Sequence, residues 1–380
     1  MPQQARSTIA AKTYFAQFMS SGSLFAASIF IPIVMRKEMG ASDLQIGLVA
    51  TGYTTALFAA SVIIGRQADI KGRRRFLKIG FAIAAIATIL QIFVTDSLSL
   101  LLVRILLGAA AGMIQSVLVA YFIYESHESQ NRVGIFSSIG ALGWGAGSMI
   151  AGAIGDYVLV FVFSAGLMIS AGIVIFTLPV TQEKTFYVPL FPRNVFKKNA
   201  AVYSSVLIRH IGANFVWVTY PLFLMDELGA DSMWVGIVYG VNAFGQFFVM
   251  RRLDPFNSSS LVKIGFIVSA VTFLGFSITR TVFEIIPLQI LLAIAWSSLY
   301  VGSLKYVTER NPEKATSTGW LQGMISMAGI IGPTIGGILD MGIGYRWTMI
   351  MAMILSIVGL VIFLISKGKT QRDPSPSSAV

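Results

Sequence analysis

Gly65-Arg66-Gln67-Ala68-Asp69-Ile70-Lys71-Gly72-Arg73-Arg74-Arg75 packs one carboxylate, two glycines and five cations into a single turn. The runs on either side are apolar and long enough to cross a bilayer, which takes about 20 residues as helix. Extending that criterion along the chain gives twelve spans, at 14–35, 44–64, 76–94, 98–124, 133–154, 157–180, 202–225, 233–250, 261–279, 283–304, 319–339 and 347–366. The connections are short and hold most of the charge. One longer segment carries Lys184, Arg193, Lys197, Lys198 and two prolines, and it splits the chain six and six. The expected organisation is a six-helix bundle over 1–180, a cytoplasmic linker over 181–199, a second six-helix bundle over 200–366 and a disordered Ser- and Pro-rich tail over 367–380.

Composition agrees with a membrane protein. The chain has 380 residues, 55% hydrophobic and only 12% charged, half the charge of an ordinary soluble domain. The formal charge of +11 would suggest nucleic acid in a soluble protein. Here it collects in loops. Of 28 Lys and Arg, 22 fall on the side that carries both termini and the 65–75 turn; Arg36, Lys37, Arg280 and Arg346 fall on the other, and Arg104 and Arg209 lie within spans. Basic residues are retained in the cytoplasm, so the expected location is the cytoplasmic membrane with both termini inside. Neither a nucleic-acid partner nor an oligomer is expected, and the lipid bilayer is the surrounding partner. The absence of cysteine excludes thiolate metal sites and a cysteine nucleophile. No nucleophile, base and orienting group can be assembled into a catalytic set, no phosphate-binding loop is present, and no metal or other cofactor is expected.

A constant shift of 185 residues carries Arg66 onto Arg251, Asp69 onto Asp254, Gly80 onto Gly265, Tyr121 onto Tyr306, Gly147 onto Gly332 and Gly152 onto Gly337. One offset serving six spans reads as a duplication. Parallel halves related by an axis along the membrane normal place a substrate site at midplane between them.

With these residues the chain resembles the major facilitator superfamily over nearly its whole length. Gly65, Asp69 and Gly72 followed by Arg73 and Arg74 are similar to that family's loop between spans 2 and 3, with Ile70 departing from the usual cation. Asp254 is its worn copy. Arg104, Gly108 and Gly112 resemble the span 4 motif of proton-coupled members. Gly332, Pro333, Gly336 and Gly337 in span 11 fall on Gly147, Ser148, Ala151 and Gly152 in span 5, with Gly143 one turn earlier; drug:proton antiporters typically carry the Gly-Pro form in span 5, where Ser148 stands here in place of the proline. The resemblance implies an all-α integral membrane protein of twelve transmembrane helices, as two six-helix bundles related by pseudo-two-fold symmetry. It also implies that Asp69 latches the inner ends of spans 2 and 11 in the outward-open state. The family's cationic partner at the inner end of span 4 is replaced by Tyr121, Tyr124 and Glu125, with Arg132 as a substitute.

Buried charge in a bilayer is expensive and usually functional. All 17 carboxylates fall in loops or at span ends, so none offers itself as a deep proton carrier. The candidate substrate or proton pathway consists of Gln17 in span 1, Arg104 and Gln115 in span 4, Arg209, His210, Asn214 and Trp217 in span 7, and Gln289, Trp296 and Tyr300 in span 10. Spans 1, 4, 7 and 10 line the cavity in the resembling family. Arg104 can also snorkel to headgroups, and His210 is either a hydrogen-bonded packing residue or a proton shuttle. Close helix packing is the competing reading for every glycine named. The expected function is proton-coupled efflux of amphipathic or hydrophobic small molecules by alternating access. Transport of an organic anion is the first alternative, and a non-transporting sensor on the same fold is the second.

Overall fold

In the computed structural model, which describes residues 3–125, 133–179, 193–253, 255–310 and 314–372, the polypeptide is helical throughout. The twelve helices are α1 (Gln3–Lys37), α2 (Asp43–Lys71), α3 (Arg73–Leu90), α4 (Ser97–Glu125), α5 (Val133–Ile154), α6 (Tyr157–Phe176), α7 (Arg193–Trp217), α8 (Ser232–Met250), α9 (Ser258–Ile278), α10 (Val282–Arg310), α11 (Lys314–Ile343) and α12 (Tyr345–Arg372). Ten of them are long and apolar enough to cross a membrane; α5 shows a shorter apolar stretch over Ser138–Ile154, and α7 carries Arg209 and His210.

Local chemistry fixes where the helices begin and end. Ser42 and Gln45 form a reciprocal capping box at the start of α2. Asp156 accepts from the Leu159 amide at 2.8 Å to start α6, and Asp231 accepts from the Trp234 amide at 2.8 Å to start α8. The α2–α3 turn is a single residue, Gly72, with φ 97°, whose amide still reaches the Ala68 carbonyl at 2.9 Å. A side chain there would be strained in that conformation.

Several expected boundaries move. α2 runs on to Lys71, so residues 65–71, expected to be turn, are helical and Gly72 alone makes the turn. α7 begins at Arg193, inside the stretch expected to be linker, and α12 runs to Arg372, inside the stretch expected to be disordered tail. Span 7 is also interrupted. The helix stops at Trp217 and resumes as one turn, Tyr220–Leu222, followed by a π-helical turn, Phe223–Glu227. Pro221 has no amide hydrogen to donate to the Trp217 carbonyl, so one bond of the ladder is lost where the helix stops.

Packing repeats with a step of six helices. α1 packs on α5 and α6, α2 on α4, and α3 on α4 and α6; α7 packs on α11 and α12, α8 on α10, and α9 on α10 and α12. The two bundles meet along α2 against α11 and, related by the same step, α8 against α5. One buried apolar cluster joins Phe30, Ile33 and Val34 of the first bundle to Val216, Tyr220 and Tyr239 of the second.

Candidate functional site

The molecule has two ends: the termini end, with the Gly72 turn, and the Asp43 end, with the α1–α2 connection. At the Asp43 end the halves are held together by two crossings of the same design. A Cβ at Gly47 of α2 would fall within 3.0 Å of the Pro333 carbonyl oxygen, and one at Gly337 of α11 within 3.0 Å of the Asp43 carbonyl oxygen. On the opposite side of the interface, a Cβ at Gly236 of α8 would lie 2.6 Å from the Ser148 carbonyl oxygen, and one at Gly152 of α5 would lie 2.7 Å from that of Ser232. Backbones this close admit no side chain larger than hydrogen. Thr51 Oγ1 and Thr334 Oγ1 sit 2.8 Å apart across the first crossing, and Thr54 hydrogen-bonds the Gly329 carbonyl.

The remaining glycines singled out in the sequence pack within halves. Gly108 and Gly112 press on the carbonyls of Tyr53 and Leu57, Gly143 and Gly147 on those of Phe18 and Gly22, Gly332 on Asn214, and Gly336 on Phe215. Only Gly152 and Gly337 of that set lie between the bundles. Their partners Gly47 and Gly236 were not singled out.

Arg104 is buried in α4, about 10 Å along the helix from its start at 1.5 Å per residue. Its guanidinium lies 4.3 Å from the centre of the Tyr53 ring, donates to Ser28 Oγ at 3.2 Å and approaches Gln91 Oε1 at 3.4 Å. Arg104 Nε and Gln91 Nε2 are buried without partners. Cation–π contact contributes about 0.5–2 kcal/mol, less than the several kcal/mol that removing an ion from water costs. Arg209 of α7 is similar. Its Nε and Nη2 both donate to Ser269 Oγ, at 3.0 and 2.9 Å, and Phe273 and Trp296 lie beneath it. Neither arginine hydrogen-bonds or ion-pairs with a carboxylate among the described residues.

His210 is buried, with Nδ1 3.2 Å from the Val206 carbonyl and its ring 4.6 Å from that of Trp296. Trp296 continues to Tyr300 at 5.1 Å, and Tyr300 accepts from Gln322 Nε2 at 3.1 Å. This chain crosses α7, α10 and α11, and it ends at the exposed Gln322. Gln115 is also exposed in the termini-side half of α4, and Gln17 of α1 faces Gly140 of α5. Gln289 sits in a different assembly. Gln246 donates to Asn242 at 2.6 Å, Asn242 to Gln289 at 2.7 Å, and Gln289 to the Tyr220 hydroxyl at 2.7 Å, all buried. Asn214 caps the His210 carbonyl at 2.8 Å, and Trp217 packs on Tyr220 and Tyr239 at the Asp43 end, away from His210's aromatic chain.

At the termini end, Arg73 is buried and Arg74 donates twice to the Leu178 carbonyl, at 3.0 and 2.8 Å, tying the Gly72 turn to the end of α6. Gly65 and Asp69 lie on the last two turns of α2, where only the backbone is described. Asp254 and Arg132 lie outside the described residues. A cavity of about 630 Å³ opens at the Asp43 end, lined among others by Lys37, Glu38, Asp156, Tyr157, Asp226 and Asp231.

Comparison with known proteins places this architecture. The family model of the Major Facilitator Superfamily matches residues 13–208 and again 202–379. The quinolone resistance protein NorA of Staphylococcus aureus (strain MSSA476) is 23% identical over 358 residues, covering 89% of this chain and 92% of its own. An uncharacterized MFS-type transporter of Methanocaldococcus jannaschii, MJ1560, is 29% identical over 128 residues, 33% of each chain. Among solved structures, that of the nucleoside transporter NupG superposes with a TM-score of 0.78 at 14% identity, covering 95% of this chain and 98% of its own. The two-fold match of the family model, the repeated helix packing and the membrane-length helices have one meaning: this chain belongs to the Major Facilitator Superfamily of membrane transporters.

Proposed function

We propose that the protein exports amphipathic or hydrophobic small molecules across the cytoplasmic membrane in exchange for protons, working as a monomer by alternating access. Both termini lie in the cytoplasm in this reading, supported by the 22-to-4 distribution of cations outside the spans. The Asp43 end, where the two crossings bring the bundles into backbone contact below the surface cavity, is then the outer gate. The observation that carries the reading is the contrast between the two ends: the paired glycine crossings close one, while the His210–Trp296–Tyr300 chain leads toward exposed Gln322 at the other. An aromatic wall with few polar groups suits a flat amphipathic cargo. The full-length likeness to NorA points the same way. Asp69, Arg73, Arg74 and the Gly72 turn form the switch at the inner end, biasing the equilibrium by no more than their differential contacts in the two states.

The test is accumulation of a fluorescent amphipathic cation in proteoliposomes with an imposed, acidic-lumen proton gradient. Accumulation that collapses with the gradient supports the reading. Gradient-independent equilibration would refute proton exchange.

The buried arginines favour a second reading, transport of an organic anion. Arg104 and Arg209 have no carboxylate partner among the described residues, and Arg104 Nε and Gln91 Nε2 leave two adjacent donors open to an acceptor. An aromatic carboxylate transported in preference to its methyl ester separates this reading from the first.

A further inference from the structure

Asp340 lies in the last turn of α11 and is buried, 7% exposed. One carboxylate oxygen, Oδ2, accepts from Thr219 Oγ1 in the break after α7, and the other, Oδ1, is buried without a hydrogen-bond partner. The groups around it come from four elements. Arg36 of α1 is ion-paired to Asp43 of α2, and Asp43 is itself a second carboxylate near Asp340. Beyond Thr219, the turn after α7 contributes Asp226. From α12 come Tyr345, which donates to Asp226 at 3.5 Å, and Thr348, which donates its hydroxyl hydrogen to the Gly344 carbonyl at 3.1 Å. The Thr348 hydroxyl also reaches Asp340, but its single hydrogen can serve only one of the Gly344 carbonyl and the carboxylate. The nearby cation, Arg36, is committed to Asp43. An ionised Asp340 would be a second buried negative charge with one oxygen unpaired, beside an acid that already holds the local counter-ion. Such an arrangement is disfavoured, because a buried charge needs a counter-ion or a full set of hydrogen bonds in place of the water it loses. A carboxylic acid in its place donates one hydrogen bond and carries no charge.

Position turns this into a gate. Asp43 presents its backbone carbonyl to Gly337, one turn before Asp340, at the α2–α11 crossing. Separating α2 from α11 exposes Asp340 to water on that side. We propose that Asp340 is a proton-binding site of the Asp43-end gate, and that proton binding there favours closure of the two halves at that end. The sign follows directly: closure is complete where the site holds its proton and is lost as pH rises through its titration, since the open state accepts the anion and the closed state does not. The inference concerns the gate alone and holds whatever cargo or coupling ion the transporter uses.

The chain has no cysteine, so the gate can be read without background. Thr51→Cys with Thr334→Cys places two thiols across the crossing, where the hydroxyls are now 2.8 Å apart. Disulfide yield with a membrane-permeant oxidant, corrected for thiolate fraction by a reference pair within one bundle, is measured from about pH 4 to about pH 9, a range that spans carboxyls in folded proteins. The parent pair is expected to lose at least tenfold in relative yield as pH rises. Asp340→Asn, which is uncharged at every pH, is expected to hold the low-pH yield throughout. Asp43→Asn removes the neighbouring charge and is expected to move the midpoint to lower pH without abolishing the transition. A parent yield independent of pH overturns the proposal, as does an Asp340→Asn profile that coincides with the parent. If Asp340→Asn fails to fold, Asp340→Ser provides the same neutral site and is held to the same outcome.

Discussion

Gly236→Ala is a one-methyl perturbation of the α8–α5 crossing whose consequence should be read at the other crossing, α2–α11. The added Cβ meets the Ser148 carbonyl oxygen at 2.6 Å and the Gly152 Cα at 2.8 Å. Both are backbone atoms, so no side-chain rotation relieves them. Bringing the nearer one out to ordinary contact at 3.4 Å requires the helices to part by 0.8 Å. Overpacking of this kind costs about 1–3 kcal/mol, and it is confined to the state in which this end is closed. At 1.4 kcal/mol per tenfold, the closed-to-open ratio should fall by a factor of about 5 to 150. The assay is the initial rate of Thr51→Cys/Thr334→Cys crosslinking in the Gly236→Ala background, normalised to the unmodified crossing. If the bundles move as rigid bodies, widening one crossing opens the other, and the rate drops at least fivefold. A rate within twofold of the parent would refute rigid-body closure and mean that α8 relaxes locally.

Arg104→Lys keeps the charge but loses the planar fork that spans Tyr53, Ser28 and Gln91; proton-driven flux is expected to fall at least tenfold, with wild-type flux contradicting a functional role for the guanidinium. Gln289→Leu strips Asn242 of its acceptor and the Tyr220 hydroxyl of its donor in one step. At about 1–3 kcal/mol for a buried group left unsatisfied, the detergent-solubilised protein should show a lowered thermal midpoint, and an unchanged midpoint would mean the chain of amides contributes nothing net.

Much of this architecture was legible in the residues. Apolar run length gave twelve spans, and the 185-residue shift anticipated a packing that repeats every six helices. Gly152 and Gly337, related by that shift, occupy equivalent places in the two crossings. Gly47 and Gly236 escaped for a specific reason. They are equivalent in space but 189 residues apart, four more than the shift that relates the later spans, so a constant-offset search passes over them. Asp340 escaped because a carboxylate in the last turn of a span reads as solvated, whereas here Thr219, brought alongside by the Pro221 break, closes over it. Trp217 continues the His210 stripe along α7, but at the last residue of the helix, where it packs on Tyr220 and Tyr239 and not on the aromatic chain of His210. Gln289 shared the face of Trp296 in sequence, yet its hydrogen bonds run to α8 and Tyr220 and leave the aromatic chain to His210, Trp296 and Tyr300. Periodicity identifies faces; only the tertiary crossing decides what each face meets.

The most direct measurement joins the gate to transport. In proteoliposomes carrying Thr51→Cys/Thr334→Cys, proton-driven flux of an amphipathic substrate is recorded before oxidation, after quantitative disulfide formation and after reduction. Locking α2 to α11 should abolish flux, and reduction should restore it, because an end that cannot open cannot exchange substrate with its side. Flux that persists through a complete crosslink would contradict alternating access through this gate.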